Sequence, residues 1–327
     1  MSRPDPGTPA ESKHRNGVGP GSKAVLLLNP AAGRRKWLRP AQISRAKGEL
    51  ECAGVAVEIQ EVGESREGSA VAREAVEQGV DLIIVCGGDG TINHVVQGMV
   101  PSHVPLAILP GGTANMLARE LGLPLTIEKA ARVIPTSIPR RISLGSAAGR
   151  LFISLAGIGF DARVVRNLNK RWKDSFGIGS YLMEGFVQLF FGPPNPFFSI
   201  CANGKGQQVT YLCVSKSQHY GHVRVLPEAD LFSDRFHVYA FQSQSRWRYL
   251  HYGGAILAGR KSSLPAFIEF PTQRIACEPM NPEEGEIYFQ VDGELAGRLP
   301  CSIEIVPDAL TILAPRQQEH PLAGSDS

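Results

Sequence analysis

The sequence predicts a doubly wound α/β domain with a parallel sheet, followed by an antiparallel β-sandwich. Three observations predict it. Up to about residue 140, apolar runs of strand length alternate with helical patterns, which is the signature of a parallel sheet. Three of those runs end in turns of small residues. After about Arg140 the pattern changes to period two with hairpin turns.

In order, Ala24–Leu28, Val55–Ile59, Leu82–Cys86 and Leu106–Leu109 are the strand candidates. The unbroken Ile/Val content of Leu82–Cys86 suits a strand buried on both faces. Pro40–Cys52 is a helix with Ile43, Ala46 and Leu50 inward, and Ser69–Gln78 is another, with Val71 and Ala75 one turn apart and Gly79 as C-cap. Ile92, Val95, Val96 and Met99 share one helical face behind Thr91 as N-cap. A further helix is capped by Thr113, turns Leu117 and Leu121 inward and ends at Gly122. In the second half, Phe198–Ala202 and Gln208–Ser215 flank Asn203-Gly204, a strong hairpin signal. Phe236–Phe241, Ala266–Phe270, Arg274–Glu278 and Ile287–Val291 continue the series, and Ser302–Val306 with Ala309–Ala314 close it. Ser180–Phe191 is the helical exception. The expected organisation is a disordered leader over 1–22, the α/β domain over 23–140, the sandwich over 141–316 and a disordered tail over 317–327.

With 327 residues and 43% hydrophobic content, the chain is long enough for two cores. A formal net charge of +3 does not provide the concentrated basic surface that phosphate backbones reward, so no nucleic-acid partner is expected. The cysteines at 52, 86, 201, 213, 277 and 301 form no CxxC pair and read as reduced core thiols of a cytosolic protein. No apolar run is long enough for a membrane span, and the first residues lack the apolar core of a secretory signal.

The chemistry is carried by the three turns. Gly87, Gly88 and Gly90 remove Cβ atoms where a ligand would approach the backbone, and the helix that follows offers unpaired N–H groups to an anion. Asn29-Pro30-Ala31-Ala32-Gly33 follows the first strand and is itself followed by Arg34, Arg35 and Lys36. Gly111-Gly112-Thr113-Ala114-Asn115 follows the fourth. On one sheet these turns would converge at one rim, where Asn29, Thr91, Thr113 and Asn115 could surround a polyphosphate. Taken singly, each is also compatible with a plain strand-to-helix turn, and the three cations with a solvated loop. None is a Walker loop or a GxGxxG fingerprint.

NPAAG at 29–33, GGDGTIN at 87–93, GGTAN at 111–115, GIGFDA at 157–162 and VDGE at 291–294 resemble, in that order, the motifs of the bacterial diacylglycerol kinase and sphingosine kinase family of lipid kinases. The correspondence covers about Ala24–Ala314. GGDGT is shared with NAD kinases and phosphofructokinases, and the later motifs select the lipid kinases. The resemblance implies an ATP-binding α/β domain, a sandwich carrying much of the lipid site, and a catalytic cleft between them. It implies ATP contacts from Asn29, Pro30, Gly33, Gly87, Gly88, Gly90, Thr91, Asn93, Gly112, Thr113 and Asn115. Asp89 would sit at the catalytic centre, Asp292 would help hold a magnesium ion, and Glu294 would accept the proton of the lipid hydroxyl. A structural magnesium ion would be held around Asp234 by the segment from Leu231 to Phe236. Asp161 is either a turn residue or a group orienting the acceptor's polar head.

Four positions depart from the family pattern. Met116 stands where GTxND carries Asp, His94 where Glu is usual and Arg235 where Gly follows Asp234, and the Thr expected near Gln60 is missing. Phosphoryl transfer asks mainly for positioning and charge neutralisation, and a lipid hydroxyl, a weak acid, needs a nearby carboxylate. A hairpin at Asp292-Gly293 would present two carboxylates, though without the family it is simply a turn. Ser180–Phe191, behind Arg166, Lys170, Arg171, Trp172 and Lys173, reads either as a core helix or as a face lying against an anionic bilayer. The expectation is an ATP- and Mg2+-dependent kinase of a membrane lipid, cytoplasmic and peripherally membrane-associated, with monomer or homodimer left open. Its rivals are an NAD kinase-type phosphotransferase and a non-catalytic homologue that binds lipid or nucleotide.

Overall fold

The computed structural model describes residues 18–32, 39–63, 65–168, 178–221, 223–224, 226–257, 264–281 and 285–316. Gly33, the cations at 34–36, residues 170–173 and the tail lie outside them. The expected leader is too long, because Val18 is buried against the first core and Gly21 donates to the Gly54 carbonyl.

Strands β1 (Lys23–Leu28), β2 (Ala56–Glu61), β3 (Leu82–Gly87) and β4 (Leu106–Pro110) run parallel in the order β2-β1-β3-β4. Side chains alternate along β3, so Leu82, Ile84 and Cys86 enter one core and Ile83 and Val85 the other. Both cores are filled by helices. Ile43, Ala46 and Leu50 of α1 (Arg39–Cys52) cover one face. Ala72 and Ala75 of α2 (Ser65–Glu77) and Val95, Val96 and Met99 of α3 (Asp89–Met99) cover the other. Burial on both sides is why β3 reads as an unbroken apolar run.

Two helix starts differ from expectation. α3 begins before Thr91, with Gly88 in extended conformation as its N-cap and accepting from the Ile92 N–H. Asp89 in the first turn suits the positive end of the helix dipole. α4 (Met116–Glu120) is a single turn capped by Asn115 in the left-handed region at φ 50°, and not by Thr113, which is exposed. α5 (Ile127–Val133) follows.

The remaining strands are β5 (Ile138–Ala147), β6 (Arg150–Phe152), β7 (Leu155–Gly159), β8 (Phe198–Ala202), β9 (Lys205–Val209), β10 (Tyr211–Ser215), β11 (His219–Tyr220), β12 (Val223–Arg224), β13 (Phe236–Phe241), β14 (Phe267–Thr272), β15 (Arg274–Pro279), β16 (Tyr288–Val291), β17 (Glu294–Arg298) and β18 (Cys301–Ala314). One face of the sandwich is the sheet β14-β13-β10-β7-β16-β17. The other is an extension of the first sheet through β18, β15, β8 and β9, and Phe152, Ile158, Phe198, Val214, Phe236, Phe289 and Ile303 fill the space between.

The Asn203-Gly204 turn forms as expected, with both residues at positive φ and Ala202 paired with Lys205. Gln208–Ser215 is not one strand. The chain crosses between sheets at Thr210, whose buried hydroxyl bonds the Phe241 and Ser243 carbonyls and Tyr249 Oη. The closing pair of strands is a single one, β18. Its start pairs with β15, its far end pairs parallel to β4 at Ile312, and Leu310 and Ile312 pack into the α/β core. The last strand therefore ties the sandwich to the parallel sheet. Helices α6 (Phe160–Asn167) and α8 (Arg246–Leu257) were not anticipated, whereas α7 (Ile178–Phe191) was. Cys52 and Cys201 are exposed, so only Cys86, Cys213, Cys277 and Cys301 are core thiols. Among the described residues no helix is long and apolar enough to cross a membrane.

Candidate active site at the rim of the parallel sheet

The three turns meet because adjacent parallel strands end together. The Asn29 N–H donates to the Cys86 carbonyl and Asn29 Nδ2 to Thr91 Oγ1 at 2.9 Å, joining the first turn to the second. The Gly111 N–H donates to the Gly87 carbonyl, joining the second to the third. A Cβ added at Gly112 would lie 2.5 Å from the Gly88 Cα, and one at Gly87 would lie 2.7 Å from the Thr91 side chain. At Gly112 glycine lets backbone pack on backbone, and at Gly87 it makes room for the Thr91 side chain. Asn115 shapes the third turn, accepting from the Gly112 N–H at 2.8 Å and donating to its carbonyl. Pro30 and Thr113 are exposed at this rim.

Asp89 points across the rim to α4, where its Oδ1 accepts from the Leu117 N–H at 3.2 Å. Burial raises its carboxyl above the ordinary value, opposed by the N–H groups of Met116 and Leu117. Beside it, the Met116 sulfur receives the Gly221 N–H at 3.2 Å, so an uncharged contact with the β11–β12 turn takes the place of a carboxylate.

The sandwich brings the second set of groups. Asp292 and Gly293 form a two-residue hairpin turn, both at positive φ, with Val291 opposite Glu294. Asp292 Oδ1 accepts from the N–H groups of Ser154 and Leu155, and Oδ2 from the Ile153 N–H and Asn93 Nδ2. Burial raises this carboxyl too, against the pull of those donors. Glu294 has the opposite aspect. Its Oε2 receives Arg150 at 2.6 Å and His94 Nε2 at 2.8 Å, while its Oε1 lies 2.9 Å from where a Cβ on Gly90 would stand. The hairpin thus lays a carboxylate over the central glycine turn.

Several residues proposed from the sequence have other surroundings. Asn93 does not face the rim: it is buried, and its amide bridges the Leu151 carbonyl and Asp292. Asp161 is buried in the first turn of α6, where it accepts from Tyr220 Oη and, at 2.6 Å, from Gln290 Nε2. Gln290 Oε1 in turn takes the Gly293 N–H. Asp161 therefore braces the hairpin from inside the sandwich. Leu231 and Phe236 are buried, Asp234 is exposed, and the segment between them meets the ammonium of Lys216 at the Ser233 carbonyl. Sequence reasoning missed Arg150, which carries no motif and gains its role only when β6 passes beside the hairpin. It also missed Glu120, which accepts from Ser217 Oγ, the Gln218 N–H and His219 Nδ1 and so fastens α4 to the sandwich.

The diacylglycerol kinase catalytic domain family matches residues 23–147, and the YegS C-terminal NAD kinase beta sandwich-like domain matches residues 154–314. The chain is 30% identical over 305 residues to a diacylglycerol kinase of Mycobacterium tuberculosis, covering 90% of this chain and 96% of that protein. It is 26% identical over 306 residues to a diacylglycerol kinase of Bacillus subtilis, covering 92% and 99%. A crystal structure of a putative diacylglycerol kinase from Bacillus anthracis superposes with a TM-score of 0.76 at 24% identity, covering 90% of this chain and 96% of that one. With both halves of the chain and the motifs accounted for in one order, the chain belongs to the diacylglycerol kinase family of lipid kinases.

Proposed function

We propose that this chain transfers the γ-phosphate of ATP to a hydroxyl of a membrane lipid, with the nucleotide on the three turns and the acceptor hydroxyl at Glu294. The observation that carries this reading is the seat of Glu294 over Gly90, which brings one carboxylate of the sandwich onto the glycine rim of the other domain. Backbone N–H groups held in fixed turns can meet a triphosphate without reorganising, the main demand of phosphoryl transfer. Glu294 is the group positioned to take the proton of an attacking hydroxyl. Arg150 and His94 fix its orientation by holding one oxygen, and Arg150 adds a positive charge where negative charge gathers.

Magnesium, when it arrives with the triphosphate, supplies further neutralising charge. Asp292 does not fit as its ligand. Two carboxylate oxygens offer about four lone-pair positions, and four protein donors already use them. Asp292 instead fixes the hairpin that carries Glu294.

The acceptor side has an apolar surface to match. α7 exposes Met183, Phe186 and Phe191 to solvent, and α8 adds Trp247 and Leu250, with Phe190 and Trp247 in edge contact between the helices. Such a two-helix face suits peripheral contact with a bilayer holding the lipid substrate. Incubation with γ-labelled ATP, magnesium and a total lipid extract should move label into the organic phase. Label found instead in a water-soluble dinucleotide supports the NAD kinase reading, and tight ATP and lipid binding without any labelled product supports a non-catalytic homologue.

A further inference from the structure

We infer that the ammonium of Lys216 takes the place of a metal ion in the segment from Leu231 to Phe236, so that this segment is held by a cation of the protein itself. The family resemblance sets a structural magnesium ion at this segment. The residues present do not fit it.

Lys216 lies immediately beyond β10 and is fully buried. Its ammonium donates to the Ser233 carbonyl and, at 3.0 Å, to Ser143 Oγ of β5. Ser143 Oγ donates in turn to the same carbonyl at 3.2 Å, closing a three-membered ring of polar contacts. Other polar groups of the segment also have protein partners. The Phe232 N–H donates to Asp230 Oδ1, the Ser233 N–H to the Asp230 carbonyl, and the Arg235 N–H to Ser233 Oγ. The Asp234 carbonyl accepts from Gln273 Nε2 at 3.1 Å.

Magnesium demands near-octahedral oxygen ligands at close range. Here two consecutive carbonyls already face protein donors, and one of those donors is a positive charge that repels a divalent ion. A buried ammonium needs acceptors, and Lys216 has two here, the Ser233 carbonyl and Ser143 Oγ. Arg235, next to Asp234 and exposed, adds a second positive charge at the same segment.

The test reads the segment directly and needs no turnover, so its outcome is independent of the lipid kinase reading. Trypsin can cleave the native full-length chain after Arg235, with cleavage after exposed Arg224 as an internal reference. In wild type, the ratio of the two cleavages should be the same in EDTA and in millimolar MgCl2. In Lys216→Gln, cleavage after Arg235 should rise about tenfold relative to Arg224, the expected result of losing a charged hydrogen bond. Protection of Arg235 by magnesium in wild type, or a ratio in Lys216→Gln within twofold of wild type, overturns the inference. Should Lys216→Gln fail to fold, the wild-type comparison decides alone.

Discussion

The glycine rim and the Asp292–Glu294 hairpin meet at one point but are built by opposite means. Each rim turn follows directly from its own strand, and the turns bond one another through neighbouring backbone groups such as Gly111 to Gly87. The hairpin is held from far along the chain, by residues 153–155 and by Asn93, Arg150 and His94. The lesson lies in its two carboxylates. Two residues apart, Asp292 turns inward to saturating donors and Glu294 turns outward to the rim.

The largest expected effect separates those roles. Glu294→Gln should lower transfer roughly 100- to 10,000-fold, the range of a lost general base, with affinity for a non-hydrolysable ATP analogue unchanged within twofold. A rate within a few-fold of wild type would remove Glu294 from the chemistry. Next, Asp292→Asn turns an acceptor into a donor facing backbone N–H groups, and should cost about 3 kcal/mol in denaturant unfolding. If the variant is as stable as wild type yet loses affinity for MgATP, Asp292 is a metal ligand after all and the contrast between the two carboxylates collapses.

On the rim side, Gly112→Ala forces a Cβ against the Gly88 backbone. Backbone on both sides leaves little room to yield, so a loss of about 1–3 kcal/mol is expected, read as weaker binding of the ATP analogue together with a lower unfolding temperature. Weaker binding with no change in stability would mean that the two turns are not mutually braced.

The difference between rim and hairpin also explains what the sequence could disclose. Glycine turns, alternating burial on β3 and the Asn203-Gly204 hairpin are local patterns, and they appear in the fold at the expected places. The role of a polar side chain is set by what packs against it. Asn93 sits in a motif that reads as a ligand contact and Asp161 in one that reads as a turn or an acceptor contact, while in the fold one bonds Asp292 and the other Gln290. Nothing near Thr210 signals that the chain changes sheets there, because the partners that make the corner, Phe241, Ser243 and Tyr249, lie more than thirty residues on. Met116 was legible as a departure, but its contact with Gly221 was not.

The smallest effect tests whether the rim is one unit. Thr91→Val keeps the shape of the side chain and removes the acceptor of Asn29 Nδ2, the link from the first turn to the second. A partly buried neutral hydrogen bond contributes about 1 kcal/mol, so unfolding should become easier by about that amount. Affinity for the ATP analogue should fall a few-fold, because Asn29 would keep its bond from the Ala31 N–H but lose its tie to the second turn, whose backbone donors stay in place. Glu294 is anchored through Arg150 and His94, so transfer at saturating ATP should be unchanged. A fall in the saturated rate comparable to the loss of affinity would show that the first turn also positions the reacting phosphoryl group, and that rim and hairpin are coupled more tightly than their separate anchoring implies.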